Sequence, residues 1–275
     1  MRPRLITTVA EMRTAVAGRA NLALVPTMGA LHAGHGALMD AARREAATVV
    51  ASIFVNPIQF DRRDDYEAYA RTLDTDLDFC AARGVDMVFA PTADQMYPAP
   101  QKAFVEVAGV SERLCGEFRP GHFRGVATVV MKLFQIVRPD IAYFGRKDAQ
   151  QLAVIRRMVA DLNVPVKIVG IPIVREPDGL ALSSRNRRLS PEERRAAPAL
   201  HRAIEAARRK IDEGCTEPAA VIEAGRAVLR AEPQIRSEYF EVVDAAEMQP
   251  VGKISAPVLV AAAVWLSSTR LIDNG

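Results

Sequence analysis

The chain has 275 residues, 49% hydrophobic and 25% charged, enough for one large or two modest globular domains with sizeable cores. A formal net charge of +3 gives no argument for nucleic acid as a partner and suits an anionic small molecule. The longest apolar run, Ala256–Leu266, is far short of the roughly 20 residues of a membrane span; the N-terminus lacks a signal-peptide core, and three scattered cysteines suit reduced thiols, so the expectation is a cytoplasmic chain without a membrane segment.

Taken in order, short apolar runs alternate with helical stretches. LALVPT (Leu22–Thr27) predicts a strand, followed by a helix over Gly34–Ala46. TVVASIFVN (Thr48–Asn56) predicts a strand, Tyr69–Gly84 a helix and Val85–Pro91 another strand. Helix GVATVVMKLFQIV, strand DIAYFG, helix DAQQLAVIRRMVADLN and strand VKIVGIPIV (Val166–Val174) continue the pattern. Strands that are apolar throughout, rather than alternating, suit a parallel sheet covered on both faces. The expected class is therefore α/β, a doubly wound (Rossmann-like) sheet.

Beyond Val174 the chain turns polar. Ser190, Pro191 and Glu193 form a cap, a first helical position and a capping box. Two helices (Pro191–Asp212 and Glu217–Arg230) and three strands (SEYFEVVDA, VLVAAAVWL, TRLIDN) predict a smaller α+β C-terminal domain. Residues 1–176 and 177–275 are the two expected domains, the junction falling between Val174 and Ser183.

Four segments offer chemistry. In VPTMGALHAGHGALM, glycines at a strand-to-helix turn let backbone amides approach an anion, the helix N-terminus adds partial positive charge, and His32 and His35 supply side-chain donors. The plain alternative is a tight turn with a capping histidine. The segment lacks the Lys and Ser/Thr of a P-loop, and no dinucleotide fingerprint follows any strand. FVNPIQF puts the amides of Asn56 and Gln59 at a strand end, where they suit hydroxyl and carboxylate groups; Asn-Pro is equally an ordinary turn. PGHFRGV puts His122 and Arg124 at a helix start with Arg119 just before it, and YFGRKDAQQL puts Gly145, Lys147, Asp148 and Gln151 at another strand-to-helix turn. LALSSRNRRLS joins Ser183 and Ser184 to Arg185, Arg187 and Arg188, a set suited to pyrophosphate in a loop free to close.

The His-x-Gly-His spacing resembles the signature of the nucleotidyltransferase superfamily. VPTMGALHAGH, FVNPIQF, RPGHFRGV, RPDIAYFGRKDAQQL, ALSSRN and TRLIDN, in that order, resemble the pantothenate synthetase (pantoate–β-alanine ligase) family over almost the whole chain. The resemblance implies condensation of pantoate with β-alanine through a pantoyl adenylate, with ATP as substrate and AMP and pyrophosphate released. It also implies that Met28, Gly29, Ala30, Leu31, His32, Ala33, Gly34 and His35 form the ATP-binding turn. Gln59 and Gln151 correspond to pantoate-binding glutamines, Gln59 also bordering the β-alanine site, with Pro26, Thr27 and Asn56 alongside. Gly145, Arg146, Lys147 and Asp148 correspond to a second ATP segment, Val174 to a backbone contact with adenine, and Leu182, Ser183, Ser184 and Arg185 to a loop that closes on the phosphates.

His35, His32, Lys147 and Arg185 are the catalytic candidates, with His35 expected to stabilise charge rather than donate a proton. Two positions depart from the family pattern: Arg146, left without a side-chain role, and Gly36, where Leu is usual and the helix start is expected to loosen. Mg²⁺ is expected on the ATP phosphates; Asp76 is a candidate to assist it, with a solvated helix face as its plain alternative. A homodimer through the N-terminal domain is implied, with no nucleic-acid or membrane partner. A cytidylyltransferase of the same superfamily and a non-catalytic nucleotide-binding module are the alternatives.

Overall fold

The structure is a computed structural model and describes residues 2–275. By packing, the chain divides into two compact units. Of the described residues the first comprises 2–107, 119–146 and 154–172; the second comprises 108–118, 147–153 and 173–275.

The first unit is built on six parallel strands: β1 (Arg4–Ile6), β2 (Leu22–Thr27), β3 (Thr48–Ile53), β4 (Met87–Phe89), β5 (Ile141–Gly145) and β6 (Lys167–Ile171), in the order β1-β4-β3-β2-β5-β6. Between them run α1 (Val9–Val16), α2 (Ala33–Glu45), α3 (Arg63–Glu67), α4 (Leu73–Ala81), α5 (Ala93–Met96), α6 (Cys115–Phe118), α7 (His122–Val137) and α8 (Ala149–Asp161); α6 falls in the second unit and α8 is divided between the two. Leu22–Val25 and Val49–Ala51 are fully buried, as a sheet covered on both faces requires. The strand order reverses where β2 lies beside β5, so the carboxyl ends of these strands flank the crevice where such sheets take ligands.

The expected doubly wound sheet is observed, with local differences. β1, α1, α3, α5 and α6 are additional elements, too short or weakly patterned to read from periodicity. The helix expected over Tyr69–Gly84 starts only at Leu73, and the strand expected to reach Asn56 ends at Ile53, where Pro57–Gln59 forms a 3₁₀ turn. Proline at the first position pre-sets that turn and removes a ladder donor.

The second unit carries α9 (Pro191–Ala196), α10 (Ala199–Asp212), α11 (Pro218–Arg230) and an antiparallel sheet β7 (Ile235–Asp244), β8 (Val258–Leu266), β9 (Thr269–Asn274). Ser190 and Glu193 make the expected capping box. The single helix expected over Pro191–Asp212 is two, broken ahead of Ala199, because Pro198 has no N–H to continue the ladder. Leu200, Ile204, Val221 and Leu229 of the helices pack on Phe240, Val242, Val260 and Val264 of the sheet.

Candidate active site

At the end of β2, Thr27 Oγ1 donates to the carbonyl of Ser52 (2.7 Å) and accepts the Gly29 amide (3.3 Å). The chain then passes through two successive left-handed residues, Gly29 (φ 87°) and Ala30 (φ 52°). Glycine is required first: a Cβ there would lie 3.0 Å from both Asp76 Oδ2 and Ile53 Cγ2. Such a reversal leaves successive amides converging on one point, a nest for an anion. The anion that the Ala30 and Leu31 amides meet is Asp76, whose Oδ2 and Oδ1 accept them at 3.0 and 2.8 Å, while Thr72 Oγ1 donates to Oδ2 at 3.2 Å. Asp76 is 2% exposed, so the solvated face expected for α4 is corrected: the carboxylate is drawn in because buried amides must be paired.

Both histidines close the start of α2. His32 is the N-cap; its Nδ1 accepts the Gly34 amide (3.2 Å), and His35 Nδ1 accepts the His32 amide (3.3 Å). This is a capping box built from two imidazoles, with ring centroids 4.0 Å apart. An Nδ1 that accepts from an amide carries no proton, so each neutral ring holds its proton on Nε2. Two Nε2–H donors therefore sit side by side at a helix N-terminus, where negative charge is stabilised. Gly36, where the helix start is expected to loosen, follows directly on this box. It makes room for Arg83, whose Nε would be 2.4 Å from a Cβ at position 36 and whose guanidinium lies 3.6 Å from the Phe79 ring centroid.

Beside the histidine turn stands Gln59, 7% exposed, whose Nε2 donates to Met28 Sδ at 3.0 Å. Its Oε1 accepts from Asn56 Nδ2 (3.0 Å), which also donates to the Gly125 carbonyl (3.1 Å); Asn56 Oδ1 accepts the Tyr97 hydroxyl (2.7 Å). The Asn56 amide, expected to meet a ligand, is thus engaged by the protein at three points. The Gln59 carbonyl accepts from His122 Nδ1 (2.8 Å), His122 Nε2 faces Arg119 Nη1 (3.3 Å), and Arg119 pairs with Asp61 (3.0 Å). Position 125 is glycine because α7 crosses the 3₁₀ turn closely: a Cβ would lie 2.4 Å from the Ile58 oxygen. Sequence reasoning missed Tyr97 altogether and read PGHFRGV only as an electropositive helix start, because these contacts join distant segments.

The remaining candidates are carried by other stretches. Gly145 ends β5, and the following Arg146 donates from Nε to the Gly170 carbonyl (3.1 Å). In the second unit, Lys147 lies 3.9 Å from the Asp148 carboxylate with its side chain 19% exposed, and its carbonyl accepts Asn274 Nδ2 (2.7 Å). Gln151 is half-buried in the first turn of α8. Val174 and Leu182 face each other in a short hairpin, the Val174 carbonyl accepting the Leu182 amide (3.0 Å). Arg175 beside them makes a bidentate pair with buried Asp273 (2.6 and 3.0 Å). Ser183 caps the 3₁₀ turn Ser184–Arg188, its Oγ accepting the Arg185 amide (3.3 Å). No helix of the described residues is long and apolar enough to cross a membrane.

Three comparisons agree. A family model described as pantoate-beta-alanine ligase matches residues 4–275. The chain is 51% identical over 274 residues to a pantothenate synthetase of Moorella thermoacetica, covering 98% of this chain and 97% of that one. Its structure is similar to the crystal structure of pantothenate synthetase from Thermus thermophilus (TM-score 0.95, 48% identity, 99% and 98% of the two chains). It is also similar to that of a pantoate-beta-alanine ligase from Francisella tularensis complexed with beta-gamma ATP and beta-alanine (TM-score 0.83, 29% identity, 99% and 97%).

Proposed function

The chain belongs to the pantoate–β-alanine ligase family, and from that premise we propose that it joins (R)-pantoate to β-alanine using ATP. The pantoate carboxylate attacks the α-phosphorus, giving pantoyl adenylate and pyrophosphate. The β-alanine amine then attacks the acyl carbon and AMP leaves, which makes the enzyme an AMP-forming carbon–nitrogen ligase. Both nucleophiles come from substrates, so the protein's part is to position reactants and stabilise charge. The observation that carries this reading is the imidazole capping pair, which presents two Nε2–H donors at a helix N-terminus while needing no proton transfer of its own.

In this reading His35 and His32 donate to phosphate oxygens as charge moves onto the leaving pyrophosphate. Met28 to His35 and Gly145 to Asp148 hold ATP, Lys147 and Arg185 neutralise phosphate charge, and the Val174 backbone meets adenine. The Leu182–Arg185 loop closes on the phosphates. Gln59 and Gln151 hold pantoate, with Pro26 and Thr27 alongside; Asn56 acts through Gln59.

Asp76 has both carboxylate oxygens on backbone amides. Mg²⁺ belongs to the proposal as an ion carried by ATP phosphates and water, where it would offset pyrophosphate charge. A cytoplasmic homodimer formed through the N-terminal domain belongs to the same proposal, with light scattering as the check on its mass.

The test is exchange of labelled pyrophosphate into ATP without β-alanine. Exchange that depends on pantoate supports the assignment; exchange supported only by another carboxylate overturns it.

A further inference from the structure

The chain of amides behind Gln59 has a fixed polarity, and that polarity reaches the substrate. The Gly125 carbonyl can only accept, so the Asn56 atom facing it at 3.1 Å must be the amide nitrogen. The Tyr97 hydroxyl, 2.7 Å away on the other side, then donates to Asn56 Oδ1. Burial pushes the ionisation of Tyr97 upward, so its proton stays in place. The second Asn56 N–H goes to Gln59 Oε1 at 3.0 Å. Asn56 is 1% exposed, which leaves water little access to replace any of these partners.

Gln59 is thereby left with its carbonyl committed to the protein and its NH₂ directed away from Asn56. The atom it meets is Met28 Sδ, a thioether and a weak acceptor. We propose that Tyr97 is a positioning residue for pantoate: through Asn56 it locks the Gln59 amide so that only N–H donors face the substrate. The locked group donates to a carboxylate or to a hydroxyl lone pair and rejects a ligand that offers only a donor there. Lys132, whose ammonium lies 5.1 Å from the Tyr97 ring centroid, braces the ring. The inference rests on the role of Gln59 in binding pantoate.

The test is a double-mutant cycle on the full chain, read by steady-state kinetics in each substrate. Gln59→Ala comes first: an unchanged KM for pantoate would show that Gln59 does not bind it, and the proposal would fall with that reading. Given a raised KM there, Tyr97→Phe is expected to raise the pantoate KM several-fold and leave the ATP KM unchanged. In the Gln59→Ala background the same substitution is expected to add nothing further. A purely structural role would lower Tm without this split, and additive effects would equally overturn the proposal.

Asn56→Asp reads the chain from its middle and serves if Tyr97→Phe does not fold. An acceptor at Nδ2 would draw the Gln59 NH₂ inward and turn its carbonyl toward the substrate. The loss in pantoate kcat/KM is then expected to exceed that of Tyr97→Phe, and wild-type kinetics would overturn the proposal.

Discussion

In the proposed reading the His32–His35 pair joins two tasks. As a capping box it satisfies helix amides, and the same bonds dictate which ring nitrogen keeps its proton. His35→Ala therefore has two separable effects. Losing the acceptor for the His32 amide lowers stability by about 0.5–1.5 kcal/mol, which leaves the fold standing. Losing a donor at the developing charge should lower pyrophosphate exchange by about 10²–10³-fold. Thermal melting alongside the exchange assay checks both; near-normal exchange in a folded variant would remove His35 from its role. The two histidines were legible in the sequence because their spacing is local. Asp76 was not, because the amides it holds lie 46 and 45 residues away along the chain.

Between elements, the decisive contact in the first unit is that of α7 with the 3₁₀ turn Pro57–Gln59. The helix arrives close enough for the Gly125 carbonyl to bond Asn56 and for His122 to bond the Gln59 carbonyl. Gly125→Ala would put a Cβ 2.4 Å from backbone oxygen and 2.6 Å from the Gln59 Cα, so backbone must move. The expected outcome is a loss of about 1–3 kcal/mol in stability together with a raised KM for pantoate and an unchanged KM for ATP. An equal rise in both KM values would show that the crossing does not act through Gln59. Helices and strands themselves were largely legible from hydrophobic period. Exceptions are the short β1, α1, α3, α5 and α6 and the break ahead of Ala199, where a proline stops a helix whose apolar pattern runs on.

For the molecule as a whole, the second unit is not one continuous stretch. Residues 108–118 and 147–153 pack with 173–275. Arg270 Nη1 lies 3.7 Å from Cys115 Sγ, Gln249 donates to the Gly109 carbonyl (3.0 Å), and Phe118 stacks on Tyr239 (5.9 Å). Asp273, its side chain 2% exposed, depends on Arg175 for its counter-charge. The proposed division at 176/177 would strand that carboxylate, a loss of about 3–5 kcal/mol for a broken buried pair. A fragment of residues 177–275 should therefore unfold at lower denaturant than the full chain, as circular dichroism would record. Cooperative unfolding at the full chain's midpoint would contradict this.

By itself the sequence determined what depends on neighbours a few residues apart. That covers the alternation of apolar strands and helices, the Ser190 capping box, the His-x-Gly-His turn and the ordered set of motifs that resembles one family. Only the tertiary structure decided how the buried polar groups are set: the Gln59 NH₂ turned to Met28, and the burial of Asp76 and Asp273. Orientation is set by hydrogen bonds to partners brought from distant segments, such as Gly125 for Asn56, 69 residues on. In a buried setting every such donor and acceptor must be matched, so the fold fixes the polarity that composition and spacing leave open.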